Sequence, residues 1–417
     1  MKFRKEENMK RALSLILTLF FAFLLFVSCA ENENTKDTSA KSSSSKKQVS
    51  SVMTSSKQGV NRPQEGENTS QTSSESTKVA VSPQNAANIG VYHFNEKWTT
   101  NLGKGEDIGF FEFESVLKEG YFNTVIVEKD TLKKEKFWDI CRRYNVTVWM
   151  DMWTYFDSSR WTIEEYFSTF DEIIQNLRYE PDKWERFLGF HFEEYVWRGQ
   201  TNEDYLAQSR ELYTRYGKRN YAVFATGEFT GVEGNEHLHG TAADESKKML
   251  TSSLKYTTDV GFDSYGVDVR DGAPEVYHKE IPAIVDGKSY YKELADLLLR
   301  ITGHPANLWF YPTAYTCRVN SGLDGTGIAT ESYCTAHLSY MYELLEQYEY
   351  KGGLMLYTYT QFDNKEEVGL KSHLVLRNAS GEHMIDPDIN KWTYYSKLIK
   401  RITEDYKYNA RKTLNSL

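Results

Sequence analysis

Cysteine is scarce: the 417 residues contain only four. With Cys29 set aside, Cys141, Cys317 and Cys334 are too few for a disulfide framework, so a packed core must hold the fold. Cys141 sits in a helical pattern and reads as a buried thiol. Cys317 and Cys334 flank one polar loop and can pair outside the cytoplasm, stapling that loop, or remain thiols. Positive charge is also the minority, with 50 Lys and Arg against 59 Asp and Glu and a net charge of -9. That balance argues against binding a nucleic-acid phosphate backbone. A neutral glycan is easier to accommodate, although a mildly acidic surface also serves solubility alone. No glycine-rich phosphate loop follows the first apolar strand, where the chain reads His93-Phe94-Asn95-Glu96-Lys97-Trp98. Glycines 322, 325 and 327 follow no adjacent strand and read as a lid. No Ser or Cys nucleophile elbow is present. The Glu236-His237-Leu238-His239 run in a Gly-rich loop is too thin for a metal set. Neither a metal nor a cofactor is expected.

Aromatic residues, by contrast, are plentiful. They make up 14% of the chain, with 29 Tyr, 22 Phe and 9 Trp, enough to build a large core. At the N-terminus, Lys2, Arg4, Lys5, Lys10 and Arg11 precede the apolar run Ala12 to Val27, which ends in Ser28-Cys29. A charged segment, an apolar segment and a small residue form the layout of a secretory signal. The alternative is a plain transmembrane anchor, and either reading exports and tethers the protein. With a cysteine directly after the small residue, the segment resembles a bacterial lipoprotein lipobox. That resemblance implies cleavage before Cys29 and a lipid on its sulfur. The next stretch, to about residue 87, is mainly Ser, Thr, Lys, Asn, Gln and Glu and is expected to be a disordered spacer. The expected organisation is a signal peptide over 1–28, a lipid-anchored linker over 29–87, a folded domain over 88–406 and a short tail over 407–417. The protein is expected at a cell surface or periplasmic membrane face, as a monomer.

From residue 88 short apolar strands alternate with helical patterns. The strands fall at 89–94, 124–128, 146–151, 187–193, 220–226, 264–268, 308–312 and 353–359. Helical spacing is found over 112–118, 133–144, 163–178, 202–216, 246–256, 290–301, 337–348 and 391–406. Eight strands alternating with helices over about 320 residues predict an α/β fold of the (β/α)₈ barrel type. A doubly wound open sheet is the alternative.

In such a barrel the residues just past each strand share one mouth. Here they include Glu128, Asp151, Trp153, Glu193, Glu194, Tyr195, Trp197, Glu228, Asp268, Tyr311, Tyr359 and Asp363. Carboxylates mixed with Tyr and Trp suit a carbohydrate: flat rings face sugar rings, and acids bind hydroxyls or move protons. The fourth strand, Phe187-Leu188-Gly189-Phe190-His191-Phe192-Glu193-Glu194-Tyr195, is the anchor. Alternation places Leu188, Phe190 and Phe192 on the bulkier face towards the helices, and Gly189, His191 and Glu193 towards the axis. Glu193 is therefore preferred over Glu194 as the acid. The competing role for Glu193 is an ion pair with Arg186, Arg198 or His191.

The architecture over 88–405 and the fourth-strand Glu193-Glu194 resemble barrel-type glycoside hydrolases. In their largest clan the acid/base glutamate ends the fourth strand and the nucleophile glutamate ends the seventh. Here the seventh strand, Leu308 to Thr313, ends without a carboxylate. The second acid must then come from Asp151, Glu128, Glu228, Asp268 or Asp363. Asp151 suits a short separation and Asp268 a wider, inverting one. Tyr311 with a neighbouring base is a further option. The leading expectation is a glycoside hydrolase with Glu193 as acid and Asp151 or Asp268 as partner. Glu194, Tyr195, Trp197, Trp153, Glu128, Glu228, Tyr311, Tyr359 and Asp363 would line the sugar subsites. A glycan-binding lipoprotein without catalysis, and another hydrolase or lyase on the same barrel, are the competing classes.

Overall fold

The computed structural model describes residues 88–94, 106–225, 228, 251–263, 284–285, 288–314, 331–359, 369–374 and 392–414. The expected signal, Cys29 and the spacer lie outside these residues. Among the described residues, no helix is long and apolar enough to cross a membrane.

Eight parallel strands close into a barrel. They are β1 (Asn88–Phe94), β2 (Thr124–Val127), β3 (Thr147–Asp151), β4 (Phe187–Glu193), β5 (Arg219–Ala225), β6 (Asp259–Asp263), β7 (Asn307–Tyr311) and β8 (Lys351–Leu356). The sheet closes where β8 pairs with β1, with Ile89 opposite Leu354 and Val91 opposite Leu356. The open-sheet alternative is thereby excluded. Seven strands match the sequence expectation; the sixth does not. Two overlapping apolar–polar runs, Asp259 to Asp263 and Ser264 to Asp268, both end in aspartate. The earlier run forms the strand, pairing with β5 and β7 on either side.

The helices are α1 (Glu106–Lys118), α2 (Glu135–Tyr144), α3 (Ile163–Ser168), α4 (Asp171–Arg178), α5 (Pro181–Arg186), α6 (Asn202–Tyr216), α7 (Tyr290–Thr302), α8 (Glu331–Leu345), α9 (Leu370–Leu374) and α10 (Thr393–Leu414). The helix expected over 163–178 is two helices, α3 and α4, breaking at Thr169-Phe170. Thr162 starts α3 with a reciprocal capping box to Glu165, and Thr201 caps α6 by accepting from the Asp204 amide. The described part of the 246–256 pattern is a 3₁₀ turn over Thr251–Tyr256.

Two apolar layers result. The larger lies between barrel and helices and takes Phe190 and Phe192 of β4. The smaller fills the bore with Tyr92, Ile126, Trp149, Tyr221, Val223, Trp309, Tyr311 and Met355. Near the amino ends of the strands the Tyr221 and Trp309 rings stack at 4.9 Å, and Trp149 meets Trp309 edge-on at 6.0 Å. The Trp309 indole donates to Asp259 Oδ1 at 2.8 Å, which also binds Arg219. Gly352 leaves that indole room, since a Cβ there would lie 2.0 Å from Trp309 Nε1.

Alternation along β4 holds from Gly189 onward and fails before it. The β3–β4 register shifts so that Val148 faces Phe187 and Trp149 faces Gly189. Leu188 consequently packs against the inner layer, not the helices as alternation alone predicts. Gly189 sits at φ 151°, and a Cβ there would lie 2.0 Å from the Arg219 carbonyl oxygen. Gly189→Ala is expected to cost about 3 kcal/mol, read as a lowered denaturation midpoint.

Candidate active site

The carboxyl ends of β1, β3, β4, β6 and β7 bring a polar cluster together above the aromatic layer. Asp151, the last residue of β3, is buried and faces inward. Its Oδ1 lies 3.2 Å from His191 Nδ1 on β4, and its Oδ2 is 3.8 Å from His93 Nε2 on β1. The other nitrogen of His191, Nε2, is 3.1 Å from the Tyr311 hydroxyl at the end of β7. Burial pushes His191 down to about 3 and also lowers His93, so both imidazoles are neutral at ordinary pH. Burial pushes Asp151 up to about 6, against the pull of His93 and Arg198.

Glu193 ends β4 on the same inward face as His191, as expected, with its side chain 15% exposed. Arg198 holds it in an ion pair and lies 3.6 Å from Glu194 Oε2. Of the three pairing partners considered for Glu193, Arg198 takes it. Arg186 goes instead to Asp182 and Asn145. Burial, with the Asp151 and Glu194 charges, outweighs Arg198 and places Glu193 at about 7.

The chain turns sharply after Glu193. Glu194 adopts φ 47°, a left-handed conformation uncommon outside glycine, while its amide donates to the Val223 carbonyl at 2.7 Å. This turn rotates Tyr195 out of the mouth: it is fully buried between barrel and helices, stacked on Tyr205 of α6 at 3.9 Å. Tyr195 therefore lines no subsite. Tyr359 is likewise buried in the outer layer against Phe94 and Phe122. Glu228 is also fully buried. Its two oxygens accept from the amides of Trp197 at 2.8 Å and Ala225 at 2.7 Å, so it ties the loop after β4 to the end of β5 and does not face the mouth. Burial drives it up to about 8.

Trp153 and Trp197 remain exposed, by 46% and 53%. The Trp153 indole N–H donates to His93 Nε2 at 3.3 Å, and Arg198 lies over its ring at 4.9 Å. Glu128, half-buried after β2, reaches 3.6 Å from His93 Nε2. Beside the mouth, Glu128, Asp151, Trp153, Tyr166, Thr169 and Phe170 line a pocket of about 430 Å³. Asp268, Asp363, Cys317 and the Glu236–His239 run lie outside the described residues. Cys141 and Cys334 are both buried. Among the described residues, no group of three or more His, Cys, Asp or Glu side chains could hold a metal ion.

Asp263 is the site residue that sequence reasoning missed. As the true end of β6 it lies close enough to Glu194 for the two carboxyl groups to perturb each other. Burial first, then the Glu194 and Glu193 charges, raises Asp263 well above the ordinary carboxylate range. Its signal in the sequence was the earlier of two equivalent Asp-terminated runs. His191 and Arg198 emerge as connectors of the acids.

These features define the class: a closed (β/α)₈ barrel with an acid-rich mouth. No protein-family model matches the chain, and no curated protein matches it. Solved structures similar to it include a family 1 β-glucosidase from Thermotoga maritima, at 9% identity and TM-score 0.45 over 77% of this chain and 98% of that one. GH5_18 from Streptomyces cattleya follows at 10% and 0.44, over 78% and 81%. A family 5 mannosidase from Rhizomucor miehei gives 11% and 0.39, over 79% and 95%. At such values the likeness carries no argument about activity.

Protonation of the buried acids sets a pH dependence. Glu228 and Glu193 have folded values near 8 and 7, above those of the unfolded chain. Between pH 8 and 6.5 the native state takes up protons that the unfolded state does not, so stability should rise as pH falls. Below the ordinary histidine value the buried neutral His93, His191 and His337 act the opposite way. Thermal melting temperatures should therefore rise as pH falls from 8 to 6.5, and Glu228→Gln should flatten that limb.

Proposed function

We propose that the protein is an exported, membrane-anchored glycoside hydrolase acting on a poly- or oligosaccharide, with Glu193 as general acid and Asp151 as its ionised partner. The observation that carries this reading is the pair itself. Two carboxyl groups on adjacent strands share one mouth, and their surroundings leave Glu193 at about 7 and Asp151 at about 6. Near neutral pH, Glu193 retains a proton to give to a glycosidic oxygen. Asp151 is mostly charged and can stabilise positive charge at the anomeric carbon or activate water. In the pairing register Asp151 faces His191, and Glu193 lies two residues further on. That offset separates the two Cα atoms by about 8 Å.

Trp153 and Trp197 supply the exposed rings for sugar faces, and Glu128 a hydroxyl acceptor at the rim. Asp263 takes the place across the mouth that was expected of Asp268. The N-terminal segment, with lipid on Cys29 and a spacer to residue 87, would hold the barrel clear of the membrane. The ion pair between Arg198 and Glu193 favours one other reading, in which the mouth binds glycans without cleaving them.

A glycan panel decides between the two. Turnover is expected from the wild type, with a narrow bell-shaped profile of kcat/KM limited near pH 6 and pH 7. Glu193→Gln should lower kcat by about 10²–10⁴. Turnover that survives this substitution removes Glu193 as the acid, and binding without turnover by the wild type selects the second reading. Replacing Cys29 by Ser should move the protein from the membrane fraction to the soluble fraction after cell lysis; retention in the membrane would refute lipid anchoring.

A further inference from the structure

The seventh strand ends in Tyr311, not a carboxylate. Its hydroxyl meets His191 Nε2 at 3.1 Å, and His191 Nδ1 meets Asp151 Oδ1 at 3.2 Å. The hydrogens on this chain can be placed by elimination. An ionised carboxylate only accepts, so Nδ1 of His191 must carry the hydrogen that it shares with Asp151. A neutral imidazole has one N–H, so Nε2 is a bare acceptor and the Tyr311 hydroxyl donates to it. Every donor in the chain then points toward Asp151. The ring has little freedom to turn over. His191 is fully buried, with Tyr92 and Tyr221 edge-on to it at 5.7 and 5.1 Å. Asp151 Oδ2 is buried and has no hydrogen-bond partner among the described residues, its nearest ionisable neighbour being His93 Nε2 at 3.8 Å.

We infer that Tyr311 and His191 are positioning residues, a relay from β7 through β4 that fixes the orientation and the charged state of Asp151. This rests on the reading of Asp151 as the ionised partner. The relay gives the carboxylate-free seventh strand a part in the reaction without asking Tyr311 to attack. A phenolate there would be poorly placed, since burial and the Glu193, Asp263 and Asp151 charges all raise the Tyr311 hydroxyl. Tyr92, His93, Glu128, Tyr155, Glu193 and Arg198 also face Asp151 electrostatically, and Tyr311→Phe leaves all six in place.

Two experiments on the full-length chain test it. In the first, ¹⁵N spectra of histidine-labelled protein near neutral pH should show His191 as the Nδ1–H tautomer. Its Nε2 resonance should move in Tyr311→Phe, and the signal is assigned by its loss in His191→Asn. An Nε2–H tautomer in the wild type, or an Nε2 signal indifferent to Tyr311→Phe, overturns the relay whether or not the protein turns over a glycan. In the second, the oligosaccharide cleaved in the panel is the substrate. Tyr311→Phe should lower kcat with KM unchanged and shift the acidic limb upward by about half to one pH unit. An unmoved limb overturns the proposal. The side-chain amide of Asn reaches the Nδ1 position and that of Gln the Nε2 position. His191→Asn should therefore retain at least tenfold more activity than His191→Gln, and the reverse order also overturns it. Loss of turnover in Glu193→Gln with both His191 signatures absent separates failure of the relay from failure of the hydrolase reading.

Discussion

Pairing of β8 with β1 is the constraint on which the mouth depends. A parallel sheet that closes on itself has all its carboxyl ends on one side, so side chains far apart in sequence are brought together. Asp151, Glu193, Asp263 and Tyr311 come from four strands spread over 160 residues of chain. The closure also removes them from bulk water. Each acid is then raised by burial and adjusted by its own neighbours: His93 and Arg198 for Asp151, Arg198 for Glu193, and Glu194 for Asp263.

Much of the barrel could be read from pattern, because a strand covered on both faces is a short apolar run and the helices between show three- and four-residue spacing. β4 was legible down to the inward aim of Glu193. Leu188 was not, because its placement depends on a register shift against β3 that only the neighbouring strand determines. The sixth strand slipped for a different reason. Asp259 to Asp263 and Ser264 to Asp268 carry the same alternation and the same terminal acid, and only pairing with β5 and β7 distinguishes them.

Of the residues just past strand ends, Asp151, Glu193, Glu128 and Trp153 lie in one connected cluster at the carboxyl ends of the strands, whereas Tyr195, Tyr359 and Glu228 are fully buried. The left-handed residue Glu194 reverses the face presented by Tyr195, and no one-dimensional alternation rule anticipates that turn. Glu228 is diverted by two backbone amides, of Trp197 and Ala225, that donate to its two oxygens. His191 and Arg198 were visible as residues, but their role as connectors depends on contacts between strands and turns.

The stacked floor of Trp149, Tyr221 and Trp309 has a consequence for traffic through the barrel. With the bore filled from below, neither ligand nor water reaches the acids along the barrel axis from the amino ends of the strands. Among the described residues, approach to Asp151 is from the carboxyl-end side, where it also lines the pocket beside the mouth.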